Sequence, residues 1–186
     1  MTAFQGAHVL ITGAASGLGR LMALGATARG ACVSLLDRDA KGLGQVCESI
    51  HGLKGDAEGF VVDLSDRTAI QATCAEVRAH RGGVDILINN AAIVSGKTLL
   101  EGSDEGIERT FQANVLANSW TVRAFLPDML AAGKGHIVTV ASAAGLGGDL
   151  APGHAPLRDH RARHSSAPAL PLRRRARLLR CEPEHG

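Results

Sequence analysis

Five short runs rich in Val and Ile, spaced by stretches of helical length, constrain this 186-residue chain more than any other feature it has. The runs are AHVLITG from Ala7, ACVSLLD from Ala31, GFVVDL from Gly59, VDILINNA from Val84 and HIVTVAS from His136. Each is short, apolar and β-branched, the signature of a buried strand. Residues 17–29, 40–51, 66–80 and 103–132 fill the gaps and have the lengths of helices. A β-α-β-α order predicts a parallel sheet with helices on both faces, an α/β fold wound in three α/β/α layers of the Rossmann type. An apolar fraction of 45% supplies the core that such a sheet needs.

The rhythm stops after Ser142. The stretch LRDHRARHSSAPALPLRRRARLLRCEPEHG from Leu157 has neither strand alternation nor a sustained apolar helical face, and Pro168 and Pro171 interrupt any helix through its centre. Charge divides at the same place: residues 157–186 hold eight Arg, no Lys and three acids, a balance of +5, whereas residues 1–156 carry −3. The expected organisation is a single α/β domain over residues 1–156, C-terminally incomplete, followed by an atypical Arg-rich tail over 157–186.

The first run ends in TGAASGLG, Thr12 to Gly19. Gly13, Gly17 and Gly19 stand between a strand and a helix, where small residues let backbone N–H groups approach a pyrophosphate at the positive helix end. Asp37 closes the second run 24 residues after Gly13, near the place of an acid that binds the adenosine ribose hydroxyls. A carboxylate there repels a 2′-phosphate and favours NAD. Arg38 beside it can pair with that phosphate, which keeps NADP open. A tight turn for the glycines, and a cap or turn acid for Asp37, are the plain structural alternatives.

TGAASGLG, VVDLSD from Val61, LINNAA from Leu87, FQANVLAN from Phe111 and IVTVAS from Ile137, in that order, resemble the short-chain dehydrogenase/reductase family over residues 5 to about 156. The resemblance implies that Ser16 and Leu18 belong to the glycine loop with its three glycines. It also implies that Asp63 and Leu64 lie beside the adenine and that the Asn90–Ala91 backbone lines the nicotinamide side. Ala92 stands where the family usually has Gly. NNAAIVSGKTLLE and SWTVRAFLPDML are similar to the branch with retinol and 17β-hydroxysteroid dehydrogenases, which implies a lipophilic alcohol or ketone as substrate. Family members commonly form dimers or tetramers, an expectation that a missing last unit puts in doubt.

In that family a Ser, a Tyr, a Lys four residues later and an Asn move the hydroxyl proton and hold the oxygen. Ser142 matches the serine and Asn114 the asparagine. The chain contains no Tyr, and the places where family spacing puts one read Ala155, Pro156 and Leu157. His154 has nothing to place it over a nicotinamide. A shift of reading frame accounts for the break: codons for Leu157–Arg158–Asp159–His160, read one base on, can spell Tyr-Ala-Thr-Thr, although the residue four after that Tyr cannot then be Lys.

Three functions follow. The first is an NAD(P)-dependent oxidoreductase impaired by the loss of Tyr and Lys. The second is a non-catalytic dinucleotide-binding module with a basic tail. Nucleic-acid binding through RRRARLLR is the third, and it is not expected, because the tail lacks interleaved aromatics. Cys32, Cys47, Cys74 and Cys181 have no metal-type spacing, and His160 and His164 would pair on a metal only in a helix, so no metal is expected. The start MTAFQGAHVLITG lacks a basic n-region and no apolar run is long enough to span a membrane, which together point to the cytoplasm.

Overall fold

A computed structural model describes residues 3–98 and 100–142. The strands are β1 (His8–Thr12), β2 (Cys32–Asp37), β3 (Asp56–Val61), β4 (Ile86–Asn89) and β5 (His136–Thr139). They alternate with α1 (Gly17–Thr27), α2 (Ala40–Gly52), α3 (Arg67–Arg81), α4 (Asp104–Phe111) and α5 (Ala117–Ala131). All pairings are parallel, in the order β3-β2-β1-β4-β5. The chain therefore builds outward from β1 to β3 and then returns to the other side of β1 with β4. Where β1 and β4 lie side by side, the connections diverge to opposite faces and leave a crevice at the strands' C-terminal ends.

Alternation along β1 explains the three layers. Val9 and Ile11 pack on one face with Ala23, Leu43, Val46 and Ile50, from α1 and α2. Leu10 packs on the other with Ile70, Val77, Phe125 and Met129, from α3 and α5. Every residue of β1 is buried, the polar His8 and Thr12 at its ends included, as befits a central strand of a parallel sheet covered on both faces. Burying a side chain such as Ile11 or Leu10 stabilises the fold by roughly 1.5–3 kcal/mol.

Capping follows the sequence closely. Asp39 accepts from the N–H of Gly42 at the start of α2, Asp66 from Thr68 and Ala69 at α3, and Ser103 from Gly106 at α4. Ser16 caps α1 without any side-chain hydrogen bond.

Two elements differ from the sequence expectation. β3 starts at Asp56 rather than Gly59, because its register is set by pairing with β2 from Cys32↔Asp56 to Asp37↔Val61 and not by its own apolar residues. The expected helix over 103–132 is broken: Gln112–Leu116 is a π turn between α4 and α5. Pro127 lies inside α5 without ending it.

β5 stands at the end of the strand order, with Ile137 and Val140 both more than a third exposed. The chain divides into two units after Gly148. The domain boundary expected after residue 156, the Arg-rich tail, His154, and the His160 and His164 pair all lie outside the described residues.

Candidate active site

The site grows from the junction of β1 and β4. Thr12 Oγ1 accepts from the backbone N–H groups of both Asn90 and Ala91 at 3.0 Å, and Asn90 Nδ2 donates to the carbonyls of Thr12 at 3.0 Å and Gly13 at 3.2 Å. These bonds fasten the two strand ends together. At Gly13 and Gly19 the glycine loop has no room for a side chain. A Cβ on Gly13, whose φ is +67°, would sit 2.8 Å from Ala91 Cα, and one on Gly19 would sit 2.1 Å from the Gly13 carbonyl oxygen and 2.8 Å from Asn90 Nδ2.

The same loop is tied to β2. Asp37 Oδ2 accepts from Ala15 N–H at 3.0 Å and Oδ1 from Asp39 N–H at 3.1 Å, so this carboxylate fixes the loop's height while it lines the cleft. Asp37 is not the cap of α2; Asp39 has that place.

A cleft of about 410 Å³ opens above these strand ends. Gly13, Ser16, Asp37, Arg38, Asp63, Leu64, Asn90 and Ala91 all line it, as do Ala15, Val62, Ala92, Ile93 and Arg109. Gly17, Leu18 and Gly19 form the first turn of α1 instead, with Gly17 at φ +51° and Leu18 more than half exposed. The α1 N-terminus has no acidic residue in its first turn and no capping side chain, so its positive end is uncompensated. Glycine packing too tight for a Cβ, together with these open N–H groups, fits a pyrophosphate group.

Asp63 sits at one end of the cleft. Its Oδ1 accepts from the hydroxyl and N–H of Ser65 at 2.7 and 2.9 Å, and its Oδ2 from Arg109 at 2.9 Å. The Ser65 hydrogen bonds hold this carboxyl below the usual range, and the Arg109 and Arg38 charges add to the effect.

Asn114 lies in the π turn. It accepts from Ile93 N–H through Oδ1 at 2.8 Å and donates to the Ile93 carbonyl through Nδ2 at 2.9 Å. Its side-chain amide thus holds the wall that follows β4. Ser142 lies three residues beyond β5 and is exposed. Thr12, Ala15 and Arg109 were not singled out from the sequence. Arg109 gives no sequence signal, because its partner Asp63 is 46 residues away and no periodicity connects them.

The short chain dehydrogenase model matches residues 7–151. The chain belongs to the short chain dehydrogenase family. Human estradiol 17-beta-dehydrogenase 11 is 45% identical over 140 residues, covering 75% of this chain and 47% of its own length. Human epidermal retinol dehydrogenase 2 is 40% identical over 144 residues, 77% of this chain and 47% of its own. The chain thus spans about half the length of these relatives.

Solved structures agree. A metagenomic short-chain oxidoreductase in complex with NADP superposes with a TM-score of 0.73 at 34% identity, covering 77% of this chain and 66% of that one. A Burkholderia phymatum short chain dehydrogenase/reductase in complex with NAD gives 0.75 at 33% identity, over 82% and 53%. Among the described residues no helix is long and apolar enough to cross a membrane, and no cluster of His, Cys, Asp and Glu could hold a metal ion.

Proposed function

We propose that this chain carries the cofactor-binding half of an oxidoreductase that transfers hydride between a nicotinamide dinucleotide and an alcohol or ketone, and that NAD is the preferred cofactor. One observation carries the reading: the glycine loop, Asp37, Asp63 and the Asn90–Ala91 wall converge on a single cleft at the topological switch point of the sheet. The cofactor supplies or accepts the hydride. The backbone N–H groups at the start of α1, from Gly17 to Gly19, hold its pyrophosphate, in a loop whose Gly13 and Ala15 N–H groups are tied to β2. Asp37 takes the ribose hydroxyls and disfavours a 2′-phosphate. Asn90 and Ala91 line the nicotinamide side, and Asn114 positions that wall through Ile93.

Ser142 is assigned to hold the substrate oxygen. A substrate with a lipophilic body follows from the likeness to estradiol and retinol dehydrogenases. A reducing compartment such as the cytoplasm suits the free thiols of Cys32, Cys47 and Cys74.

Turnover by the chain as it stands is expected to be low. Loss of a general acid or base costs about 10²–10⁴-fold in rate, and the chain contains no Tyr. That absence favours a second reading, a dinucleotide-binding module without catalysis. Titration with NADH and NADPH, followed by turnover assays of retinol and estradiol with NAD⁺ or NADP⁺ as the hydride acceptor, separates the two. Saturable binding with turnover supports the enzyme, saturable binding alone the module, and no binding removes both. Coding DNA from Ser142 onward that cannot spell the displaced Tyr would remove the frame-shift account of its loss.

A further inference from the structure

The two outer strands of the sheet have edges of different character. On β3, His51 Nε2 donates to the Ala57 carbonyl at 2.9 Å. Arg81 forks onto Asp56 at 2.8 and 2.9 Å and reaches Glu58 at 2.8 Å, and His80 Nδ1 lies 2.8 Å from the same Glu58. Charged side chains on an edge strand discourage a further strand from pairing there. β5 and the residue after it read His-Ile-Val-Thr-Val, without a Lys, Arg, Asp or Glu, and Ile137 and Val140 are exposed.

The backbone of β5 shows which groups are free. The N–H groups of His136 and Val140 donate to the carbonyls of Asp85 and Asn89, on the β4 side. Backbone groups alternate along a strand, so Val138 points the same way, while Ile137 and Thr139 turn both N–H and C=O to the open side. Among the described residues, none hydrogen-bonds these four outward groups. The side chains alternate too. Ile137 is in register with Leu87 of the α3 and α5 face, and Val138 packs against the cluster on the α1 and α2 face.

We propose that β5 is a self-association edge, on which a second copy of this chain pairs its own β5 antiparallel about a two-fold axis at Val138. The free groups are symmetric about that residue. With the second strand reversed, Ile137 of one copy falls opposite Thr139 of the other, and each such pair exchanges both N–H···O bonds, so every outward group is met. Val138 meets Val138, and Val140 meets His136, which sets no like charges against each other. The contact closes at two copies, because the other edge of each sheet is the charged β3. Two four-residue strands make a small contact beside the roughly 1,200–2,000 Å² of a stable interface, so the dimer is weak and dissociates on dilution.

The test is sedimentation velocity of the full chain across the micromolar range, with hydrogen exchange of its backbone amides at both ends of that range. A monomer–dimer equilibrium is expected, with exchange at Ile137 and Thr139 slowing as concentration rises. Thr139→Pro removes an outward N–H and no bond to β4, and edge strands tolerate Pro. The loss counts once in each copy, so the dimer should weaken about tenfold or more. Ile137→Lys brings two charges close across the axis and should weaken it as well. Val61→Lys, at an exposed position of β3, should leave it unchanged. Urea midpoints show whether the variants are folded, and exchange in the wild type decides the question without them.

A chain that is monomeric at every concentration overturns the proposal. Exchange at Ile137 and Thr139 that is slow at every concentration also overturns it, because residues of the same copy then cover the edge. A dimer that keeps its affinity in folded Thr139→Pro and Ile137→Lys proteins lies on another face and does the same. Open-ended aggregation in place of a dimer contradicts the two-fold closure.

Discussion

Asn114 grips both polar groups of Ile93, its Oδ1 accepting from the N–H at 2.8 Å and its Nδ2 donating to the carbonyl at 2.9 Å. The π turn explains why it can. One extra residue per turn between α4 and α5 carries the 114 side chain toward the loop after β4, and such turns often mark functional sites. Asn114→Ala should leave two peptide groups without these partners, lowering stability by about 1–3 kcal/mol. It should also weaken NADH binding several-fold. Asn114→Asp, which keeps only the acceptor, should fall between. Urea unfolding and calorimetric titration of the two variants check this.

The glycine loop separates two kinds of constraint. Gly19→Ala places a methyl against the Gly13 carbonyl and Asn90, both backed by the rigid β1–β4 seam, and should abolish measurable NADH binding. Gly17 has open space around it, so Gly17→Ala meets only the positive φ of +51°, a cost of about 1–2 kcal/mol. Its binding loss should be clearly smaller. Equal losses at the two positions would contradict the packing described here.

Asp37 has two duties, the ribose and the loop. Asp37→Ser should raise NADPH affinity relative to NADH by removing the charge opposed to a 2′-phosphate. It should also lower stability, because the acceptor for Ala15 and Asp39 is lost. Competitive titration with the two reduced cofactors reads the first effect, and thermal unfolding the second.

His8 gives the fold a pH dependence that the site does not share. It is buried in β1, with Nδ1 at 2.9 Å from the Gly83 carbonyl and Nε2 at 2.9 Å from the Ser34 hydroxyl. Burial pushes its pKa below the usual histidine value, outweighing the Gly83 carbonyl and the nearby Asp85 and Asp56, while Arg81 pushes the same way as burial. The unfolded chain therefore takes up a proton at higher pH than the folded one. Stability from His8 is complete above about pH 6.5 and is lost as pH falls from there through the lower folded value. Urea midpoints should drop between pH 7.5 and pH 5.5 in the wild type. The drop should shrink in His8→Gln, which titrates nothing in that range.

Much of this was legible in the sequence because local chemistry and global fold agree. The five apolar runs became the five strands, and the Gly13, Asp37, Asp63 and Asn90 motifs converged on one cleft. The exceptions share a cause. The start of β3 depends on its pairing with β2, and the grip of Asn114 depends on a π turn whose extra residue has no periodic signature. Arg109 meets Asp63 only after the sheet has brought β3 and α4 together. Each is a non-local contact, which no window of sequence displays. The match of Ser142 to the family serine rests on sequence order, and its role stands as a proposal.

The most direct measurement is calorimetric titration of the full chain with NADH and NADPH at neutral pH. Saturable binding of one NADH per chain, tighter than NADPH and abolished by Gly19→Ala, is the predicted result. A folded chain that takes up neither nucleotide would contradict the account.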